Sequence, residues 1–254
     1  MIRRLVVVLL GVALAALLAL VPASAPEARV AARTTSPWTL VVDDQFNAGG
    51  LPPHWSTYDG PYGSGPQNCA RPDHSFVSDG RLRMVLRYRT SGDCGPGWYS
   101  AGLRLVKRFD SVDQRISVRF RVLQFGGVVG HRIIPMRWPA SGDWVDPGEE
   151  DFCEGDHLTT CTTFLHHDGV QEYHVYRVDL TTWHTMTFVR RNFTVGAYID
   201  GQRRWFYRGN EDTLPSTPKH PVLQQECQKD GCPAGTAGRE VIVIDWIRVW
   251  NPAP

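Results

Sequence analysis

Arg115-Ile-Ser-Val-Arg-Phe-Arg-Val122 decides the fold of this 254-residue chain. Ile116, Val118, Phe120 and Val122 alternate with polar residues, and a period of two marks a strand with one buried and one wet face. Arg81-Leu-Arg-Met-Val-Leu-Arg-Tyr88 repeats the pattern, with Leu82, Met84, Leu86 and Tyr88 on one side. Similar runs occupy 38–46, 99–106, 172–179, 183–191, 194–200 and 240–250, and Asp200-Gly201 reads as a hairpin turn between two of them. No dozen consecutive residues show helical period with caps, and no internal repeat is visible. A composition with 24 Gly, 18 Pro, 9 Trp, 8 Tyr and 10 Phe points the same way. The sequence therefore predicts an all-β fold, a two-sheet antiparallel β-jelly-roll sandwich over residues 38–251.

Residues 1–25 stand apart from that domain. Arg3 and Arg4 precede the uncharged run Leu5–Val21, and Ala23-Ser24-Ala25 follows, the order of a secretory signal peptide. The run is at the short limit for a membrane anchor, and nothing later approaches a second span. The expectation is a secreted, extracellular protein with no membrane association after cleavage. Pro26 is a poor neighbour for a cut after Ala25, so Ala23 and Ala32 stay open as alternatives. Residues 26–37 form a short leader with nothing to bury. Without Arg3 and Arg4, 25 basic residues face 26 acidic ones. That balance excludes a nucleic-acid binder acting through bulk positive charge, and a polybasic membrane-surface protein. No long apolar surface run calls for more than a monomer.

Six cysteines in an exported chain read as three disulfides. Fifteen pairings exist on paper, and proximity favours Cys69–Cys94, Cys153–Cys161 and Cys227–Cys232. None has the spacing of a zinc site. Arg81, Arg83, Arg87, Arg115, Arg119 and Arg121 line the outward faces of the two alternating strands. They suit either a platform for an anionic polysaccharide or, as expected here, a solvated face with acidic partners.

Gly148-Glu-Glu-Asp-Phe-Cys-Glu-Gly-Asp156 carries the chemistry: five carboxylates in eight residues, in a strand context. Glu149 and Asp151 share a face, being two apart, whereas Glu154 is five from Glu149 and falls on the other. One β-bulge near Phe152-Cys153 would restore it to the same face. A second parse uses Glu150 and Glu154, needs no bulge, and ranks lower because Phe152 would lie between them. Such a row suits glycoside hydrolysis, in which one carboxylate attacks the anomeric carbon and a second, protonated, serves the departing oxygen. Mutual repulsion separates their pKa values and sorts acid from nucleophile. A calcium loop lacks its Asp-x-Asn/Asp-x pattern here, which leaves a solubilising acidic edge as the bland alternative.

Glu149-x-Asp151-x-x-Glu154, preceded by Trp138-Pro-Ala-Ser-Gly-Asp-Trp144, resembles the active-site strand of glycoside hydrolase family 16. This is the laminarinase, lichenase, agarase and carrageenase group, here of the exported bacterial, concanavalin A-like type. Asp43-Asp-Gln-Phe46, Asp79-Gly-Arg-Leu82, Tyr99-Ser-Ala-Gly102, Trp183-His-Thr185, Tyr198-Ile-Asp-Gly201 and Asp245-Trp-Ile-Arg-Val-Trp250 resemble its other strands in order. Leu214–Glu226 resembles what exported bacterial members carry before the closing strand. The resemblance implies that Glu149 is the nucleophile, Asp151 its assistant and Glu154 the acid/base. It implies endo-acting, retaining cleavage of a β-linked polysaccharide, a β-1,3- or mixed β-1,3/1,4-glucan, in a cleft across the concave sheet, with transfer to a sugar acceptor also open. No cofactor is required; some members hold a structural calcium on the convex side, for which Asp43 or Asp245 are candidates. Glu150 departs from the family's apolar residue, should point into the other layer, and there needs an arginine partner. Cys153 also replaces an apolar residue, and a bridge to Cys161 would pin the bulge.

Trp138 and Trp144 are candidate sugar-stacking residues, and Trp55, Tyr62, Trp98 and Tyr99 lie in Gly/Pro-rich stretches where ligand-reading aromatics occur. The resemblance implies that His166 can face the cleft near the departing sugar, and Gln171, Gln225 and Glu226 could hydrogen-bond sugar hydroxyls. The rival readings are a non-catalytic, lectin-like glycan-binding module on the same sandwich, and a cell-envelope protein resting on the arginine-lined strands alone.

Overall fold

A computed structural model of the chain describes residues 36–61, 68–142, 148–167, 170–227, 232 and 237–254. The leader up to Thr35, Tyr62 and Trp144 lie outside the described residues. Strands numbered in chain order form two sheets. The larger takes β1 (Trp38–Asp44), β3 (Gly60–Pro61), β4 (Asn68–Ala70), β5 (Ser75–Ser78), β6 (Arg81–Arg89), β7 (Gly97–Ser100), β9 (Gln114–Phe125), β14 (His184–Arg191), β15 (Thr194–Ile199), β16 (Gln202–Arg208) and β18 (Arg239–Pro252). The smaller takes β2 (Trp55–Thr57), β8 (Gly102–Leu105), β10 (His131–Pro139), β11 (Glu150–Gly155), β12 (Thr160–His167), β13 (Val170–Arg177) and β17 (Lys219–Glu226). Among the described residues only β4 and β7 pair in parallel. The smaller sheet runs β13-β12-β11-β10-β17-β8-β2, so β11 is near its centre.

The alternating strands bury the residues their period predicts. Leu82, Met84, Leu86, Ile116, Val118, Phe120 and Val122 are buried, and most join one core with Leu103, Phe152, Leu165 and Leu223 of the smaller sheet. Each such side chain contributes about 1.5–3 kcal/mol when fully removed from water. Asp200 and Gly201 both take positive φ, 51° and 78°, the two-residue turn whose twist matches a hairpin.

Two groups of buried charges cross this apolar layer. Glu150 points inward and meets Arg137 of β10, Lys219 of β17 (Nζ to Oε1, 3.2 Å) and Arg190 of β14 in the opposite sheet (Nε to Oε1, 3.6 Å). Arg137 also donates to the carbonyls of Ser111 and Val112, both at 2.7 Å, and Arg190 to Asp113 at 2.6 Å and the Leu214 carbonyl at 2.6 Å. The arginine partner that Glu150 needed is thus present twice, with a lysine. Burial works to raise the Glu150 carboxyl, but Arg137, Lys219 and Arg190 outweigh it and hold it down to about 2. The second group joins Arg132 of β10 to Glu240 of β18 at 2.7 Å, where Gly130 N–H and the Gln225 amide also donate, at 3.0 and 3.1 Å.

Several expectations are corrected here. Gln225 is a fully buried strut between the sheets and does not reach the cleft, because residues 219, 221, 223 and 225 of β17 form its inward set. Trp55, Trp98 and Tyr99 are buried, their polar tips held by Asp44, the Cys232 carbonyl and the Gly95 carbonyl. They pack the domain and do not line a cleft. On the outer face of the larger sheet Arg81, Arg83 and Arg119 have the acidic partners of the bland reading. Arg83 pairs with Asp79, Arg81 and Arg119 with Asp245, and Arg81, Arg119 and Arg121 stack on Trp183. Asp245 is therefore engaged, as is Asp43 with Arg248 at 3.0 Å. The three disulfides are Cys69–Cys94, Cys153–Cys161 and Cys227–Cys232, the pairing that proximity favours. Among the described residues no helix is long and apolar enough to cross a membrane.

Removing one partner from a buried ion group strands the others, at about 3–5 kcal/mol. Glu150→Gln is therefore expected to lower unfolding stability by that amount near neutral pH. Because the folded carboxyl titrates below the unfolded one, the contribution is complete above about pH 4.5 and fades as the pH falls towards 2. Denaturant midpoints of wild type and variant, measured from pH 7 to 2, should converge at the acid end.

Candidate active site

β10 and β11 carry adjacent bulges, and the site follows from them. Asp151 stands opposite Phe164 and Glu154 opposite Thr162, so Phe152 and Cys153 together face Thr163 alone. On the other side Ile133 faces Gln224 and Met136 faces Val222, so Ile134 and Pro135 together face Leu223. Between β10 and β11 the register is unbroken, from Arg137 opposite Glu150 to Arg132 opposite Gly155. An extra residue in each strand changes the parity of all that follows. Glu149, Asp151 and Glu154 consequently share the outer face of the small sheet. By the same step Arg132 and Arg137, five apart, both point inward. The Thr163 hydroxyl donates to the Phe152 carbonyl at 2.9 Å, and the Cys153–Cys161 bridge ties the bulged strand to β12.

Glu149 lies just ahead of β11, and its carbonyl accepts the His166 N–H at 2.9 Å. Gly148 makes that approach possible. It sits at φ 78°, and a Cβ there would fall 1.9 Å from the His166 carbonyl oxygen. Around the acids runs a chain of polar contacts. The Gln171 amide donates to His166 Nδ1 at 2.9 Å, so the ring proton is on Nε2, which donates to Asp151 Oδ2 at 3.1 Å. At the other end Glu154 Oε1 is 2.9 Å from His131 Nε2. Asp151, only 1% exposed, is within hydrogen-bond reach of both Glu149 and Glu154.

No N–H or O–H donor among the described residues reaches Asp151 Oδ1 or Glu154 Oε2. A buried carboxylate oxygen without a donor is costly, and a proton shared between the acids removes the deficit. The electrostatics agree. Burial raises the Glu149 carboxyl most, neighbouring Asp151 adds to it, and the group is pushed up to about 10. Burial, then Glu154, raise Asp151 well above its ordinary value. The cluster therefore keeps protons at neutral pH, as close carboxyl groups must. Ligand atoms of Glu149, Asp151 and His166 lie within 4.8 Å of one another, a set that could also hold a cation. The Gln171 contact places the imidazole proton on the nitrogen facing Asp151, which suits proton sharing better than metal ligation.

Trp138 is half-buried on the same face, opposite His220, and packs with Ile133, Met136, Val222 and Tyr58 as an apolar floor beside the acids. Gln171 is exposed at the β13 edge and Glu226 lies opposite His131. Gln224, neighbour of the misplaced Gln225, occupies the cleft position opposite Ile133. Sequence reasoning missed His131, Gln224 and Tyr58. The first two follow once the bulge in β10 is known. Tyr58 arrives from a loop, its ring over Gly102, where a Cβ would lie 2.3 Å from it. Burial pushes its hydroxyl up to about 12, with Glu149 adding to the rise.

No family model matches the chain, and no curated protein sequence matches it either. The fold has counterparts among solved structures. The laminarinase catalytic domain from Thermotoga maritima is 22% identical at a TM-score of 0.73, spanning 86% of this chain and 100% of that one. SCLam, a non-specific endo-β-1,3(4)-glucanase from family GH16, is 20% identical at 0.72, spanning 86% and 93%. The endo-β-1,3-glucanase from Pyrococcus furiosus is 17% identical at 0.70, spanning 85% and 95%. At these identities the likeness establishes the jelly-roll sandwich expected from the strand pattern.

A carboxyl that folding holds protonated destabilises the native state as pH rises from its unfolded to its folded pKa. For Glu149 that window runs from about 4.5 to about 10. Glu149→Gln should therefore be more stable than wild type at pH 8, by about 1 kcal/mol or more, with the gain shrinking towards pH 4.5. Thermal melts at the two pH values check the sign.

Proposed function

We propose that this chain is an exported, endo-acting, retaining glycoside hydrolase that cleaves a β-1,3- or mixed β-1,3/1,4-glucan. The observation that carries the reading is the row of three carboxyl groups on one face of a bulged strand in a jelly-roll sandwich, with Asp151 within hydrogen-bond reach of the other two. In the reacting state Glu149 is ionised and attacks the anomeric carbon, while Glu154 gives its proton to the departing glycosidic oxygen. Glu154 then takes a proton from water, whose oxygen displaces Glu149 from the sugar. At rest the proton of the Glu149–Asp151 contact sits on Glu149; in the reacting state it passes to Asp151, which donates it back in a hydrogen bond that holds the charged Glu149 in its rotamer. His166, its proton on Nε2, holds Asp151 from the other side. Trp138 offers an indole face for a sugar ring. The signal-like segment and three disulfides support export, and the likeness to a laminarinase and an endo-β-1,3(4)-glucanase supports the glucan class.

Purified residues 33–254 should release reducing ends from laminarin or mixed-linkage glucan, with the anomeric configuration retained by NMR. Glu149→Gln should lower kcat by roughly three orders of magnitude or more. If Asp151 acts as a hydrogen-bond donor, Asp151→Asn keeps an N–H there and should retain about tenfold more activity than Asp151→Ala. A folded protein that binds these glucans and releases no ends would leave the lectin-like module in its place.

A further inference from the structure

One row of cross-strand neighbours runs over the face that carries the acids: Asp151, Met136, Val222, Arg104 and Ser56, on β11, β10, β17, β8 and β2. Directly opposed residues share a face, so the Arg104 side chain lies on the cleft side of the sheet. The composition of the row changes along it: acid at β11, apolar over β10 and β17, cationic at β8. Beside Arg104 is a cavity of about 280 Å³ lined by Ser56, Arg104, Lys107, Ala140 and His220. His220 stands opposite Trp138, so this cavity continues the Trp138 floor.

From these positions we infer an anion-binding subsite at the β8 end of the cleft, built on Arg104 and Lys107, that takes a sulfate or carboxylate substituent of a β-glycan. The inference rests on the hydrolase reading and narrows its substrate class. Arg104 and Lys107 are both exposed, and neither has an ion-pair partner among the described residues. The arginines Arg81, Arg83 and Arg119 on the outer face of the larger sheet are, by contrast, matched by aspartates. One acid lies beside them: Asp110, 3.9 Å from His220 Nδ1, has its carboxyl raised by burial and lowered by Lys107 and Arg104, so two cations face a single carboxyl group and positive charge is left over. Burial, with Arg104 behind it, pulls His220 down to about 4, so at neutral pH it offers hydrogen bonds and no third charge. A guanidinium presents a planar fork that fits sulfate or carboxylate through two parallel N–H···O bonds. The spacing is also suitable. Three strand steps of about 4.8 Å put the subsite about 14 Å from Asp151, beyond a Debye length of about 8 Å at physiological salt. A charged substituent held there is screened from the catalytic acids, whereas the same group beside them would be repelled.

The test uses the mature chain with Glu149→Gln, so that ligands bind without turnover, and calorimetry at 0.15 M salt. Laminarin is compared with sulfated laminarin and carboxymethyl laminarin. At least one charged form should bind tenfold or more tightly than the neutral one; which form does so distinguishes a sulfate from a carboxylate site. Adding Arg104→Ala should cut that preference to within twofold, and Arg104→Lys, which keeps the charge and loses the fork, should leave an intermediate value. Adding Arg87→Ala, on the outer face of the other sheet, should leave the preference intact. Equal affinity for neutral and charged forms overturns the subsite, as does an equal loss with Arg87→Ala, which would mean general adsorption to the outer arginines. If the chain without Glu149→Gln cleaves neutral laminarin while this preference is missing, only the subsite falls. If it cleaves neither neutral nor charged polymers, the hydrolase reading falls and takes the subsite with it.

Discussion

Glu150 is a carboxylate placed midway between two sheets, and the site above it depends on the three cations that meet it there. Its neighbours on either side, Glu149 and Asp151, face the cleft. Alternation along a strand forces the residue between them into the core, whatever its chemistry. With an acid in that position, the strand could stay only if the core supplied charge. Arg137 and Lys219 do so from the same sheet and Arg190 from the opposite one. Replacing such a group wholly by well-packed apolar residues costs little, whereas removing one member strands the rest. Its effect is best described as positional: it locks the start of β11 to β10, β17 and β14 together, and with them the height of Glu149 and Asp151 above the core.

A second lock holds the far end. Arg132, opposite Gly155, reaches through the sandwich to Glu240, whose other oxygen takes the Gln225 amide. The paired bulges lie between these two clamps. They make both clamps and the row of acids compatible, since an odd separation of five residues falls on one face only when an extra residue intervenes. Unbulged strands would send Glu154 inward and one of the two arginines into the cleft. The bulge therefore belongs to the architecture of the core as much as to that of the site.

The price of the cleft is carried by the acids themselves. Burial and Asp151 hold Glu149 towards its protonated form, and burial and Glu154 do the same for Asp151, so the native state works against ionisation that free carboxyl groups would undergo readily. The double displacement proposed above, which alternates a charged nucleophile with a proton donor, would draw on this tension, and the sheet on both sides keeps it from relaxing.

Local pattern determined much of this protein. The period of two in 81–88 and 115–122, the Asp200-Gly201 turn and the short cysteine spacings are properties of neighbours in the chain, and they fix strands, hairpin and disulfides without reference to distant residues. The spacing of Glu149, Asp151 and Glu154 went further, since their common use demands a bulge near Phe152, where one is found. The sequence could not place Gln225, because its face is set by β17's register against β10, whose bulge at Ile134-Pro135 is marked in the letters by Pro135 alone. Nor could it find His131, Tyr58 or the partners of Glu150, which come from separate strands and loops. Periodicity reports which way a side chain points relative to its neighbours. Only the packing of one sheet on another decides what it meets there, because burial and charge pairing are energies between segments far apart in the chain.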